Sequence, residues 1–363
     1  MSIVLFFIIL AVLVLVHEFG HFFAAKRFGV RVDEFGLGFP PRIWGKKIGE
    51  TVYSINAIPF GGFVKIFGET PDDESISGPQ KGRSFVNIAK WKQVVVLASG
   101  VLMNIVFAWL LFSISYLSGM TTIVSGTDRE YVQDEHVVIL ATLPNSPALK
   151  AGFVSGDQVR EFSFDGATTT GPSVEAIQSA VKDSEGRDIT FSVDRNGDRV
   201  YVTAVPEKSE AGVYAIGISM DQAGKVVLPF HLAFWEGGRL TIGMFTGIAE
   251  NLYGLARDAV LGKADLSQVS GPVGIARLVG DASGLGFIYL LSFTAFISLN
   301  LAALNLVPFP ALDGGRILFV LIEAVKRSPI KPSIANMTNA VGFGILILLM
   351  LFVTYRDILK IFG

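Results

Sequence analysis

His17-Glu18-Phe19-Gly20-His21 lies near the end of an otherwise apolar segment, Ser2 to about Ala25, and its reading decides how the rest of the chain is understood. Residues four apart share a helix face, so His17 and His21 can both reach one Zn²⁺, while Glu18 beside them is placed to take a proton from an attacking water. Ile3 to Val16 carries no charge, and His17 and Glu18 follow directly. An ionisable group at bilayer depth costs about 2.5–3.5 kcal/mol or more, so its presence there points to a function. With only 4 His in 363 residues, a chance pair at this spacing beside a glutamate is improbable.

Hydrophobic residues make up 51% of the chain and charged ones 17%, and the mean hydropathy is +0.52. That is too apolar for an ordinary soluble protein and reads as a polytopic membrane protein whose partners include the lipid bilayer. A net charge of -2 and the lack of a basic tail give no sign of nucleic-acid binding. There is no cysteine, so any transition-metal site must be built from His, Asp and Glu.

The first segment lacks a basic leader and a small-residue cleavage site, and it reads as a retained membrane helix. From Lys26 to Lys92 the following loop holds 11 Lys and Arg, which places it in the cytoplasm and the N-terminus outside. Fourteen residues from Ile3 to His17 correspond to about 21 Å of depth in a core about 30 Å thick, so the metal site belongs inside the membrane, nearer the cytoplasm. Between Gly29 and Glu69, β-type alternation such as Thr51 to Ile55 and Gly61-Gly62-Phe63-Val64 predicts short hairpins returning toward the helix end. Gly36-Leu37-Gly38-Phe39 spells the carboxylate-binding loop of PDZ domains, but no PDZ-length domain surrounds it, and we assign it to the hairpins. Pro71 to Arg83 reads as a polar loop.

A second span is predicted from about Val94 to Leu117, with Ser99, Gly100 and Asn104 read as helix-packing residues rather than site residues. Residues 118–228 have soluble composition. Strands over Val137 to Leu143, Ile189 to Val193 and Arg199 to Val205 flank a helix around Val174 to Lys182. Pro144 to Ala148, Ala151-Gly152-Phe153, Gly156-Asp157-Gln158-Val159 and Asp165-Gly166 stand at the spacing of a PDZ domain, which this stretch resembles in one extracytoplasmic copy. Residues 229–285 read as an amphipathic segment on the membrane surface, because charges interrupt its apolar periodicity. Spans at Phe287 to about Val307 and about Val341 to Tyr355 belong to a C-terminal part, 286–363, joined by a basic cytoplasmic connection. Residues 1–117 form the N-terminal membrane part. The fold class is therefore a polytopic α-helical membrane protein of four transmembrane helices, with a cytoplasmic-side β-hairpin region, one extracytoplasmic α+β PDZ domain and both ends outside.

Two histidines leave a catalytic zinc sphere short of a third protein ligand. The longer zincin pattern is absent, since Ala24 and Arg27 occupy its places, and His136 and His231 fall in or beside the extracytoplasmic domain. Asp313 fits better. It follows an apolar span broken by Pro308 and Pro310, and Gly314-Gly315 let the backbone approach closely, although a turn or helix cap would also use an aspartate there.

Taken together, the His17 to His21 helix, the Gly61 to Val64 loop, Ser99-Gly100-Val101-Leu102-Met103-Asn104, the PDZ-like stretch, Ser270-Gly271-Pro272-Val273-Gly274 and Asn305 to Arg316 resemble the site-2 protease family of intramembrane zinc metalloproteases. The match is to the bacterial regulator-of-sigma-E protease type and covers essentially the whole chain. What the resemblance implies is that His17, His21 and Asp313 bind Zn²⁺, that Glu18 is the catalytic acid and base, and that Asn305, with Pro308, Gly61 and Gly62 beside it, holds the substrate backbone. It further implies a bacterial inner-membrane enzyme with a periplasmic PDZ domain, and leaves open whether that domain takes a peptide at its groove or only excludes substrates by size. Its partners are single-span membrane proteins, such as a pre-trimmed anti-sigma factor, and remnant signal peptides. This chain has Gly100-Val101 where the family commonly has Gly-Pro, and one PDZ domain where enterobacterial members have two. Two other readings use the same residues: a PDZ-bearing membrane scaffold or chaperone with a non-catalytic metal site, and a metal transporter. An intact Glu18 speaks against the first, and the clustering of polar residues at one site against the second.

Overall fold

In a computed structural model that describes residues 2–70, 72–124, 129–195, 197–209, 212–263 and 270–362, the apolar start of the chain forms helix α1 (Ser2–Arg27). As a helix, its long aliphatic run pairs the backbone groups of its interior within the segment, as hydrocarbon requires. One stripe of α1 is buried, at Leu13, His17, Gly20, His21, Ala24 and Ala25, the three-and-four spacing of a single helix face. Phe19 and Phe23 point outward.

Strands β1 (Val32–Ile48) and β2 (Thr51–Ile66) follow as one long antiparallel hairpin rather than several short ones. Because both strands bend, their pairing falls into three ladders. Arg42 to Ile48 pair with Thr51 to Asn56, Val32 to Leu37 pair with Gly62 to Ile66, and Glu34 to Leu37 also pair with Val52 to Ile55. Gly36 to Phe39 is therefore strand, held by Asn56 Nδ2 donating to Gly38 O at 3.1 Å. At the hairpin turn, Glu50 binds Lys26 Nζ at 2.6 Å and Arg83 Nη1 at 2.7 Å. The Arg83 guanidinium, followed by the Lys26 ammonium, holds the Glu50 carboxyl down at about 2, so this clamp stays ionised. Helix α2 (Asp73–Ser77) is capped by Asp72, and α3 (Lys90–Ser118) returns alongside α1.

Ser115–Leu232 form a separate compact unit. Its elements are β3 (Met120–Ile123), β4 (Val132–Thr142), α4 (Pro147–Ala151), β5 (Gln158–Phe164), β6 (Ala167–Thr170), α5 (Val174–Asp183), β7 (Ile189–Arg195), β8 (Asp198–Ala204), β9 (Glu207–Lys208), β10 (Tyr214–Ala215) and β11 (Ile218–Val226). Seven strands make an antiparallel sheet in the order β3-β11-β4-β5-β7-β8, with β6 paired to β5. The inward residues Val137, Ile139, Phe162, Phe191 and Val193 alternate along their strands and pack with Ile177 of α5 and with Phe153. Asp157 has no exposed surface and is satisfied by Arg195 Nε at 2.7 Å and by Val154 N–H at 3.0 Å.

The rest of the chain returns to the first unit as α6 (Phe230–Val260), α7 (Pro272–Gly284), α8 (Phe287–Leu306), α9 (Asp313–Lys326) and α10 (Pro332–Phe362). Among the described residues four helices, α1, α3, α8 and α10, are long and apolar enough to cross a membrane. α6 is as long as α10, at 31 residues, but Glu236, Arg239, Glu250, Arg257 and Asp258 interrupt it, and it is not among the four. The amphipathic segment predicted over 229–285 is thus two helices, α6 and α7. The buried face of α1 is covered by different elements at different heights. Phe6, Ile9 and Leu13 pack on Val279 of α7 and on Phe293 and Ile297 of α8, while Ala24 and Ala25 join Val32, Ile66, Val96, Leu97 and Val320. Asp357 of α10 anchors α7 by accepting from Gly274 N–H at 2.7 Å, near the Gly271 and Pro272 that open that helix.

Candidate metal centre

The donor atoms of His17, His21 and Asp313 converge, all within 4.8 Å of one another, and this is the only such group of three among the described residues. His17 Nε2 is 3.0 Å and His21 Nε2 3.3 Å from Asp313 Oδ2, and the two Nε2 atoms are 3.2 Å apart. Both histidines are buried. Each of the three elements that meet here is positioned by a local feature. On α1, the four-residue spacing aims both imidazoles the same way. On α3, the absence of a side chain at Gly100 leaves room for them, since a Cβ there would lie 2.4 Å from His21 Nε2 and 2.8 Å from His17 Cε1. The helices touch again at Gly20, where a Cβ would lie 2.3 Å from Ser99 O. On α9, Asp313 is the first helical residue. The chain leaves α8 through Pro308 and Pro310, and turns at Ala311, whose N–H is taken by Asn339 Oδ1 at 3.2 Å.

Secondary hydrogen bonds fix the donors. His21 Nδ1–H donates to Val96 O at 2.8 Å, which leaves Nε2 bare and facing the cluster. His17 Nδ1 faces the Asn104 amide at 3.3 Å. Glu18 Oε2 accepts the Val64 N–H at 3.0 Å, so β2 holds this carboxylate beside the histidines. Gly62 comes close as well, its Cβ position lying 3.9 Å from Glu18 Cγ, and Gly61 is near Val14. An ion pair between Arg316 and Glu69 ties α9 to the end of the hairpin.

Among the residues predicted from sequence, then, His17, Glu18, His21, Asp313, Gly61 and Gly62 are brought together. Asn305, on the last turn of α8, and the exposed Pro308 precede Asp313 in the chain without entering the donor cluster. His136 and His231 are not part of it either; His136 Nδ1 donates to Asp134 O at 2.7 Å. Val64, Val96, Asn104 and the Arg316–Glu69 pair were not predicted as site features. Only Asn104 left a signal, as a polar residue inside an apolar span.

The profile of peptidase family M50 matches residues 5–349. The chain belongs to this family, the site-2 proteases. A Clostridium perfringens protein named as a candidate zinc metalloprotease is 33% identical over 349 residues, 96% of this chain and 95% of that protein. Zinc metalloprotease RasP of Oceanobacillus iheyensis is 30% identical over 444 aligned positions, covering 99% of each chain. The regulator of sigma-W protease RasP of Bacillus subtilis is 28% identical over 440 positions, again 99% of each. This M50 peptidase is accordingly a zinc metalloprotease.

The cluster fits that metal on its own terms. Two imidazole nitrogens and one carboxylate oxygen form a donor set known from catalytic zinc sites, and bonds of about 2.0–2.1 Å arranged tetrahedrally put donors about 3.3 Å apart. Asp313 Oδ2 is buried and, despite its closeness to both rings, accepts no hydrogen bond from them. In this M50 peptidase Gly100→Ala is expected to lose zinc while remaining folded, because alanine is about 1 kcal/mol the better helix former but its methyl meets both imidazoles. Metal content and thermal melting of the purified variant check this; full zinc occupancy would show that α3 does not confine the histidines.

Proposed function

We propose that this M50 peptidase hydrolyses peptide bonds within the membrane-spanning segments of single-span proteins, with His17, His21 and Asp313 as the zinc ligands and Glu18 as the catalytic acid and base. The convergence of the three donors beside Glu18, within an apolar spanning helix, carries this reading. When bound, zinc supplies Lewis acidity toward the scissile carbonyl and the attacking water. Glu18 accepts the proton of that water and returns it to the leaving amine. Its hydrogen bond from Val64 N–H keeps one oxygen oriented and leaves the other to face the substrate.

A helical substrate hides its scissile bond behind its own hydrogen bonds, so it must be held extended. Asn305 suits that task, being half-buried with no side-chain hydrogen bond among the described residues. Pro308 beside it stiffens the segment, and Gly61 and Gly62 let a substrate backbone pass close to Glu18. A pre-trimmed anti-sigma factor and remnant signal peptides are the substrates we infer; the naming of the Bacillus subtilis relative as a regulator of sigma-W protease supports the first.

We assign the unit Ser115–Leu232 to a PDZ domain that selects substrates by their outer parts, either by size or through a peptide at its groove. Its antiparallel sheet with α4 and α5, and the Gly-Asp motif at Gly156-Asp157, support this. Basic residues between α1 and α3 and again after Asp313 support an inner-membrane orientation with this domain and both termini periplasmic, and the metal centre toward the cytoplasm.

Two experiments test these assignments. Co-expression with a panel of tagged single-span proteins should give clipped product with wild type, and a loss of about 10²–10⁴-fold or more with Glu18→Gln, which keeps its zinc; His21→Ala and Asp313→Ala should lose the metal too. Undiminished clipping by Glu18→Gln would transfer the proton to another group. For orientation, single cysteines in this cysteine-free chain should react with a membrane-impermeant thiol reagent at Gly186 but not at Ser77 in outer-membrane-permeabilised cells. The reverse pattern would invert the topology.

A further inference from the structure

Asn104 lies inside α3 with no exposed surface, facing His17 Nδ1 at 3.3 Å, and its Oδ1 has no partner. Ser298 Oγ of α8 donates to the Asn104 carbonyl at 2.8 Å, so the backbone here is held from a second helix and the side-chain amide is what remains free to turn. A neutral imidazole carries one proton, on one of its two nitrogens. For His17 to offer Nε2 to a metal, Nδ1 must keep that proton, and a buried N–H needs an acceptor. His21 meets the same requirement with the Val96 carbonyl, which can only accept. His17 has no carbonyl in that place. A half-turn of the Asn104 amide exchanges Nδ2 for Oδ1 and supplies the missing acceptor.

We propose that Asn104 is a positioning residue for His17: its Oδ1 accepts the Nδ1–H and thereby fixes the ring and the tautomer that presents Nε2 to the metal. The inference rests on the metal-centre reading above and extends it to a side chain that sequence assigns to helix packing. The two roles differ in what they protect. A packing residue supports the stability of the bundle with or without zinc, whereas a positioning residue supports zinc affinity.

Zinc affinity measured by competition with a chelator on the purified full chain, beside thermal melting of the zinc-stripped protein, separates the two. Asn104→Leu, close in volume but without an acceptor, should bind zinc about 10–100-fold more weakly. Asn104→Asp, which can only accept, should keep tight binding. Ser298→Ala, which frees the Asn104 carbonyl and leaves the amide, should bind as wild type does. Asn104→Ala repeats the test with a smaller side chain if the leucine variant does not insert. Unchanged zinc affinity in Asn104→Leu or Asn104→Ala, whatever happens to melting, would make the residue packing alone and overturn the proposal, as would an Asn104→Asp variant as weak as Asn104→Leu. Wild-type protein that takes up no zinc would overturn the metal-centre reading and this inference with it, a result visible before any variant is compared.

Discussion

Two imidazoles and a carboxylate held at 3.0–3.3 Å inside an apolar bundle need close, rigid surroundings, because hydrocarbon offers no water to satisfy them. Here that closeness comes from α1 and α3 touching at two places, Gly20 against the backbone carbonyl of Ser99 and Gly100 against both rings. Larger side chains there would part the helices. With the helices close, Val96 O and the Asn104 amide come within hydrogen-bond reach of the far nitrogens of His21 and His17, so that one helix orients both rings.

The hairpin depends on the same arrangement. Val64 N–H can reach Glu18 only because β2 runs back along α1, and it does so because the turn is clamped at Glu50 by Lys26 and Arg83. At the opposite strand end, the Arg316–Glu69 pair couples the hairpin to α9, the helix that begins with Asp313. Glu18, the carboxylate proposed for proton transfer, and Asp313, the one proposed for the metal, are thus both referenced to one piece of β structure. This is how elements far apart in the chain hold a site to fractions of an ångström.

Much of this was legible in the sequence where the signal is local. Four-residue spacing showed that His17 and His21 share a face, and continuous apolar runs marked the four long helices. Asp313 was legible at longer range, since only the charge distribution and the two prolines before it brought it to the histidines' side. Other features depend on encounters between distant segments. Asn104 carried the mark of a polar residue in a span, but its neighbour is 87 positions away, and packing was the natural reading. α9 is short and amphipathic, and the basic residues around it made it look like a connection. The hairpin was broken into shorter ones by its glycines, which instead mark bends within two long strands. Strand β11, which joins β3 to β4, lacks a strong apolar run, so its place in the sheet comes from pairing partners rather than from its own sequence.

The central claim is that this zinc peptidase holds its metal by His17, His21 and Asp313, and the zinc K-edge X-ray absorption spectrum of the metal-loaded protein tests it most directly. The expected spectrum shows a shell of nitrogen and oxygen donors at about 2.0–2.2 Å, with the multiple scattering of two imidazoles and no sulfur. A light-atom shell without imidazole scattering would contradict the account. So would a spectrum that stays the same when His17 and His21 are both replaced by alanine.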